Sequence, residues 1–244
     1  WAFWSGSAQI APLFEYARAS WKTAAPLRMA GFDLQLTGSG GSVMLDRYDD
    51  IKRCFTLTPH PLPVSVRSSL PNPTHRLARN GGTQVGGPRD TLLNYAPPML
   101  KHLDDNAAVI ERTHGALEVA RMRRVLQTMM EYRKALDLRD KSFIESYNLR
   151  DRVNADNLIW LIDERVRGER VVVWSHNAHA AHARMSSKFD SIGDPRYAME
   201  STGRLLKQTL GDELFTIGTM AYEGQSGVPG GPAHPIARAV PGSF

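Results

Sequence analysis

The chain has 244 residues, a formal net charge of +5 and one cysteine, Cys54. With 42% hydrophobic and 23% charged residues it is long and apolar enough for a sizeable buried core, so wholesale disorder is excluded. A lone cysteine forms neither an intramolecular disulfide nor a thiolate metal cluster, and no run approaches the roughly 20 apolar residues of a membrane-spanning helix.

The basic excess is spread over scattered arginines. The densest groups are Arg121, Arg123 and Arg124, and Arg165, Arg167 and Arg170. Both lie in helical stretches with acidic neighbours and without interleaved aromatics, so they read as solvated faces, and no nucleic-acid partner is expected.

In chain order, Ile10, Leu13, Phe14 and Ala17 form the apolar stripe of a helix over 7–21. Pro26 ends it, and residues 27–34 read as a short strand. A turn at 38–42 leads into helix 43–55. Eight of the fifteen prolines fall in 54–98, with Gly81-Gly82 and Gly86-Gly87, which predicts an irregular loop or insertion. Residues 99–136 return to amphipathic helix and read as a helical insert. A long helix is expected over 141–167 with Gly168 as its C-cap, followed by strand 170–174 and a helix over 176–185. Residues 197–210 read as helix capped by Gly211, 214–221 as strand, and 224–244 as loop. Alternating strands and helices predict an α/β fold in which a central sheet is flanked by helices and carries the inserted helical subdomain, all within one domain over 1–244.

The most specific motif is Val171-Val172-Val173-Trp174-Ser175-His176-Asn177-Ala178-His179. A buried strand ending in two histidines and an asparagine delivers them where open α/β sheets place their ligands. Histidine relays a proton near neutrality, and an amide donates to a developing oxyanion or orients a ring. The bland alternative is a histidine that merely caps or packs a helix start. His182 continues the spacing, but helical drift and the lack of a nearby carboxylate argue against a metal site.

The second motif is on the 141–167 helix. Arg150, Asn154 and Asn157 share one face at i, i+4 and i+7, beside Asp151, while Val153, Leu158 and Ile159 cover much of the rest. Such a polar line braces a site if it is buried; otherwise it is an exposed stripe. Asp33, in Gly31-Phe32-Asp33-Leu34-Gln35, is a carboxylate at a strand end, which elsewhere often only caps a turn.

These features, in this order, resemble the erythromycin esterase family. The resemblance rests on Trp1-Ala2-Phe3-Trp4 with Glu15 and Arg18, on Gly31 to Gln35, on Arg150-Asp151 with Asn157 and Trp160, and on the strand ending in His176-Asn177-Ala178-His179. Leu205, Leu210-Gly211-Asp212, Ile217-Gly218 and Pro241-Gly242-Ser243 extend it over nearly the whole chain. Ser175 stands where the family usually has Ala, and Asn154 where it has Met. The resemblance implies a hydrolase that cleaves a carboxylic ester, such as a macrolide lactone, through general-base activation of water. Neither metal nor other cofactor is implied, and the partner is a small-molecule ester, with no membrane and a cytoplasmic location. No Gly-x-Ser-x-Gly elbow leads from a predicted strand into a helix, which agrees with a route free of an acyl-enzyme. His176 and His179 would serve the water and the leaving alkoxide, with Arg150, Asp151, Asn157, Asp33 and Asn177 bracing or binding. A shared cleft is expected to hold both histidines, Arg150 and Asn157, with Arg150 paired to Asp33 or Asp151. A binding module that keeps the fold and cleft without catalysis is the alternative.

The resemblance further implies an upstream His-Gly motif with glutamates, its histidine the base, so the chain reads as truncated at both ends. Expressed alone, it is expected to hydrolyse a chromogenic ester at background, since removing a general base costs on the order of 10² to 10⁴ in rate. A rate equal to that of a version extended upstream would show the site to be complete within 1–244.

Overall fold

The computed structural model describes residues 10–35, 88–186, 197–219, 221–227 and 231–238, with backbone alone over 88–95. Helices dominate. α1 is Ala11–Ser20, α2 Pro88–Asp105, α3 Ala107–His114, α4 Ala116–Arg139 and α5 Phe143–Trp160, which runs into a π-turn at Leu161–Arg165. α6 is the short Asn177–Ala180, and α7 is Thr202–Leu210. Two small antiparallel sheets pair β1 (Met185–Ser186) with β2 (Ala198–Met199), and β3 (Gly224–Ser226) with β4 (His234–Ile236).

The main core lies among α2, α4 and α5. Along α4 the buried side chains are Val119, Met122, Leu126, Met129, Tyr132 and Ala135, a three- and four-residue spacing that turns one continuous face inward. They meet Met99 and Leu103 of α2, Ile110 of α3, and Leu149 and Val153 of α5, with Leu34 reaching in from the N-terminal segment. Gly115, at φ +84°, makes the left-handed turn that separates α3 from α4. α5 opens on a capped start: the Ser142 hydroxyl accepts from the Glu145 N–H, in a Ser-x-x-Glu sequence. A second, smaller cluster joins Ala155 and Leu158 of α5 to Leu206 of α7.

Helices and strands are both present, but no central sheet is formed among the described residues. Among the described residues, the expected strands 27–34, 170–174 and 214–219 have no strand partner. A buried parallel strand needs hydrogen-bonded neighbours and cover on both faces. Here side chains replace the ladder: the Leu34 N–H donates to Asn154 Oδ1 at 2.7 Å, and Asn157 Nδ2 donates to the Phe32 carbonyl at 2.9 Å. In 170–174 and 214–217 apolar side chains lie in solvent, with Val172 95% and Phe215 86% exposed.

Five further expectations change. The loop expected over 54–98 becomes helix from Pro88; a proline is tolerated at a helix start, and Pro97 and Pro98 are carried inside α2 because Ala96, Met99 and Leu103 bury beside them. The rest of that loop, like helix 43–55, lies outside the described residues. The helical insert at 99–136 is three helices, ended by breaks at Asn106 and Gly115. The helix expected over 176–185 stops after Ala180, where Ala181 turns extended and its carbonyl accepts from the Ser201 hydroxyl. Residues 197–210 begin as β2, and the helix waits for the Ser201 cap; within the expected C-terminal loop, β3 and β4 form a ladder.

Leu126→Ala is expected to lose on the order of 2–5 kcal/mol in urea denaturation, the range for a fully buried leucine. Val172→Thr should change stability by no more than about 0.5 kcal/mol, because that side chain is in solvent. A loss of several kcal/mol at Val172 would mean that 170–174 is a buried strand after all.

Candidate active site

α5 presents two polar faces, and the first is built on Asp151. This carboxylate is fully buried. Its Oδ2 accepts from the Thr202 N–H at 2.7 Å and lies 3.1 Å from the Thr202 hydroxyl, at the first turn of α7. The orphan N–H and positive end of that helix are suited to a negative group. Its Oδ1 lies 2.7 Å from His179 Nδ1. With both oxygens acting as acceptors, Nδ1 carries the proton and donates it to Asp151. The second ring nitrogen, Nε2, is then the basic one.

Three neighbours fix the His179 ring. It stacks on Tyr147, one turn before Asp151 on the same face of α5, with centroids 5.3 Å apart and planes 12° apart. The Tyr147 hydroxyl is 3.3 Å from Nδ1. Burial, reinforced by the charge of Asp151 and only partly offset by Arg150, pushes the Tyr147 pKa up to about 12, so it stays a neutral hydroxyl. The third neighbour is a close backbone approach. A Cβ at Gly203 would lie 2.2 Å from the Ala180 carbonyl oxygen, so only glycine lets α7 press against the residue that follows His179.

The second face of α5 holds Arg150, Asn154 and Asn157 against residues 32–34. Arg150 pairs with Asp33 through two bonds, at 2.9 and 2.6 Å, in the fork geometry that suits a carboxylate. Asn154 Nδ2 adds a contact to Asp33 Oδ1 at 3.3 Å. Burial alone would raise the Asp33 pKa; the bonds and charge of Arg150, with the Gln35 and Asn154 amides, outweigh it and hold the carboxyl below its ordinary 3.8. Burial likewise disfavours the Arg150 cation, but Asp33, Asp151 and Tyr147 outweigh it and raise its pKa. Asn154 and Asn157 are buried, while Arg152 and Asp156 are exposed.

Arg150 thus reaches the electrostatic surroundings of Asp151, but Asn157 turns elsewhere. Its Oδ1 accepts from Arg124 Nε at 2.6 Å and from the Thr128 hydroxyl at 3.2 Å. There it lines a pocket of about 220 Å³ with Phe32, Asp33, Arg124, Trp160 and Arg165, which neither His176 nor His179 joins.

The three histidines go to three partners. His176 is exposed, and its Nδ1 accepts from the Ala178 N–H at 3.1 Å, the capping geometry. His182 Nε2 lies 2.7 Å from the Thr216 hydroxyl. Among the described residues only His179 of the three meets a carboxylate. Asn177 braces backbone: its amide donates to the Thr219 carbonyl, and its Oδ1 accepts from the Thr219 N–H at 3.2 Å. With His182 and Thr216, Asn177 lines a second pocket, also about 220 Å³. Among the described residues no three His, Cys, Asp or Glu side chains converge to hold a metal ion.

Sequence reasoning missed Tyr147, Thr202 and Gly203. Tyr147 is spaced i, i+4 from Asp151, a signal that was available. Nothing in the sequence pairs Thr202 and Gly203 with residues 51 and 23 positions upstream.

Because the Asp33 pKa is depressed on folding, its contribution to stability is present above the ordinary carboxylate value and is lost as pH falls through the folded value. Asp33→Asn should therefore be less stable than the unsubstituted chain at pH 7, and the gap in denaturant midpoint should close below about pH 3.8. A gap that stays constant down to pH 2.5 would remove the ion pair as its cause.

The erythromycin esterase family model matches residues 1–243. YbfO of Bacillus subtilis (strain 168), whose hydrolase designation is itself provisional, is 21% identical over 239 residues, covering 89% of this chain and 50% of YbfO. The crystal structure of a Bacillus cereus protein superposes with a TM-score of 0.69 at 18% identity, covering 98% of this chain and 56% of that one. The chain thus spans about half the length of each, and at that identity the structural likeness speaks for the fold alone. With the family model matched over nearly every residue, the chain belongs to the erythromycin esterase family.

Proposed function

We propose that this chain carries proton-transfer machinery of a hydrolase acting on carboxylic esters, with His179 as the group that moves the proton and Asp151 as its positioning partner. The carrying observation is the 2.7 Å contact between Asp151 and His179 Nδ1, which leaves Nε2 as the basic nitrogen. Family membership supports hydrolysis in general. The ester, including a macrolide lactone, is the finer part of the reading.

In this reading water adds to the ester carbonyl as its proton passes to Nε2. The imidazolium formed lies against the buried Asp151 carboxylate, which stabilises it without taking the proton. Arg150, held by Asp33 through Nε and Nη2, braces the neighbouring face of α5. The tetrahedral adduct collapses, the C–O bond breaks, and Nε2 returns the proton to the alkoxide, releasing an alcohol and a carboxylic acid. No acyl-enzyme and no metal are invoked. His176 is engaged with its own helix start through Nδ1.

One observation favours the non-catalytic alternative: the pocket that holds Asn157 excludes both histidines, as a ligand-binding module would allow. Turnover separates the two. In the natural gene product, assayed against chromogenic esters and a macrolide lactone, His179→Ala should lower kcat/KM by on the order of 10² to 10⁴. Asp151→Asn, which upsets the tautomer, should also lower it, and His176→Ala should change it less than tenfold. Activity in His179→Ala above one tenth of the starting value would sink the assignment. Ligand binding without hydrolysis of any ester would favour the binding module.

A further inference from the structure

The pocket between α4, α5 and residues 30–33 has an unusual charge arrangement. Of its charged lining groups, Asp33 is neutralised by Arg150, and Arg121 is held by Glu118. Arg124 and Arg165 have no ion pair among the described residues. The Arg124 guanidinium is anchored through Nε to Asn157 at 2.6 Å, and Asn157 is fixed in turn by Thr128 and the Phe32 carbonyl. That leaves the outer edge of the guanidinium, Nη1 and Nη2, with no hydrogen-bond partner among the described residues. Phe32, Val125, Met129 and Trp160 supply apolar walls.

We propose that this pocket is a binding site for a small carboxylate with an apolar or single-ring body, its carboxylate held by the outer edge of Arg124 and its body against Phe32 and Trp160. A planar guanidinium edge matches two carboxylate oxygens, and Arg165 at the rim adds attraction without a fixed contact. The volume suits a compact ligand, since sites for drug-sized molecules run at roughly 300–1,000 Å³. Burial lowers the Arg124 pKa, with Asp156 partly offsetting it, as expected of a cation held away from water without a close counter-charge. An arriving anion supplies that counter-charge. The inference does not depend on His179 or on ester hydrolysis.

Isothermal titration calorimetry of the chain with 3-phenylpropanoate, 3-phenylpropanol and inorganic phosphate tests it. The acid is expected to bind, with the alcohol and phosphate each at least tenfold weaker. Arg124→Gln should weaken the acid at least tenfold and Arg165→Gln two- to fivefold. The acid–alcohol comparison needs no variant, so it stands even if Arg124→Gln fails to fold. Equal affinity for acid and alcohol would reduce the pocket to an apolar cavity and overturn the proposal. So would phosphate matching the acid, an unaffected Arg124→Gln that keeps the fold, or no binding of the acid.

Discussion

A fully buried carboxylate is the constraint on which this arrangement rests. Taking an ion such as Asp151 out of water costs several kcal/mol unless every oxygen finds a donor. The donors come from two separate elements, the first turn of α7 and the ring of His179 on α6. Satisfying Asp151 therefore fixes where both elements sit relative to α5. Gly203 is a consequence: once α7 is held by its N-terminus, its first turn meets the backbone at Ala180, and a side chain there would force them apart.

The same logic governs the other face of α5. Among the described residues no strand pairs with 32–34, and Asn154 accepts from the Leu34 N–H while Asn157 donates to the Phe32 carbonyl. An amide offers both functions from one side chain, so each asparagine also reaches a second partner: Asp33 for Asn154, and Arg124 with Thr128 for Asn157. Asn177 does the same for Thr219. Asparagine stands in for sheet pairing at each of these points.

Much of the candidate site was legible because its signals are local. The i, i+4, i+7 spacing of Arg150, Asn154 and Asn157 placed them on one face, and Arg150 meets Asp33, one of the two carboxylates expected. Helix existence was legible for the same reason, since α1, α4 and α5 repeat their apolar residues within a few turns. The central sheet was not. Val171 to Trp174 and Leu214 to Ile217 have strand composition, but composition does not specify a neighbour, and among the described residues these segments have no strand partner, with Val172 and Phe215 in solvent. The histidine motif did not reveal how its two rings differ. Two histidines three residues apart look equivalent in sequence, whereas His176 falls at the helix start and turns to its own backbone. His179, one turn on, reaches across to Asp151.

The two polar faces of α5 are not electrically separate. Asp151 and Asn157 are six residues apart, about 9 Å along the helix axis. Asp33 bridges that distance: it lines the arginine pocket, yet its charge is neutralised by Arg150, which in turn feels Asp151 and Tyr147. The positive balance of the pocket therefore depends on Arg150 holding Asp33. A substitution at Asp33 frees Arg150 and removes a negative wall from the pocket at once. A substitution at Asn157 loosens only Arg124, Thr128 and the Phe32 carbonyl. The asymmetry follows from chemistry, because a carboxylate is felt across both faces of the helix whereas an amide acts only on the groups it touches.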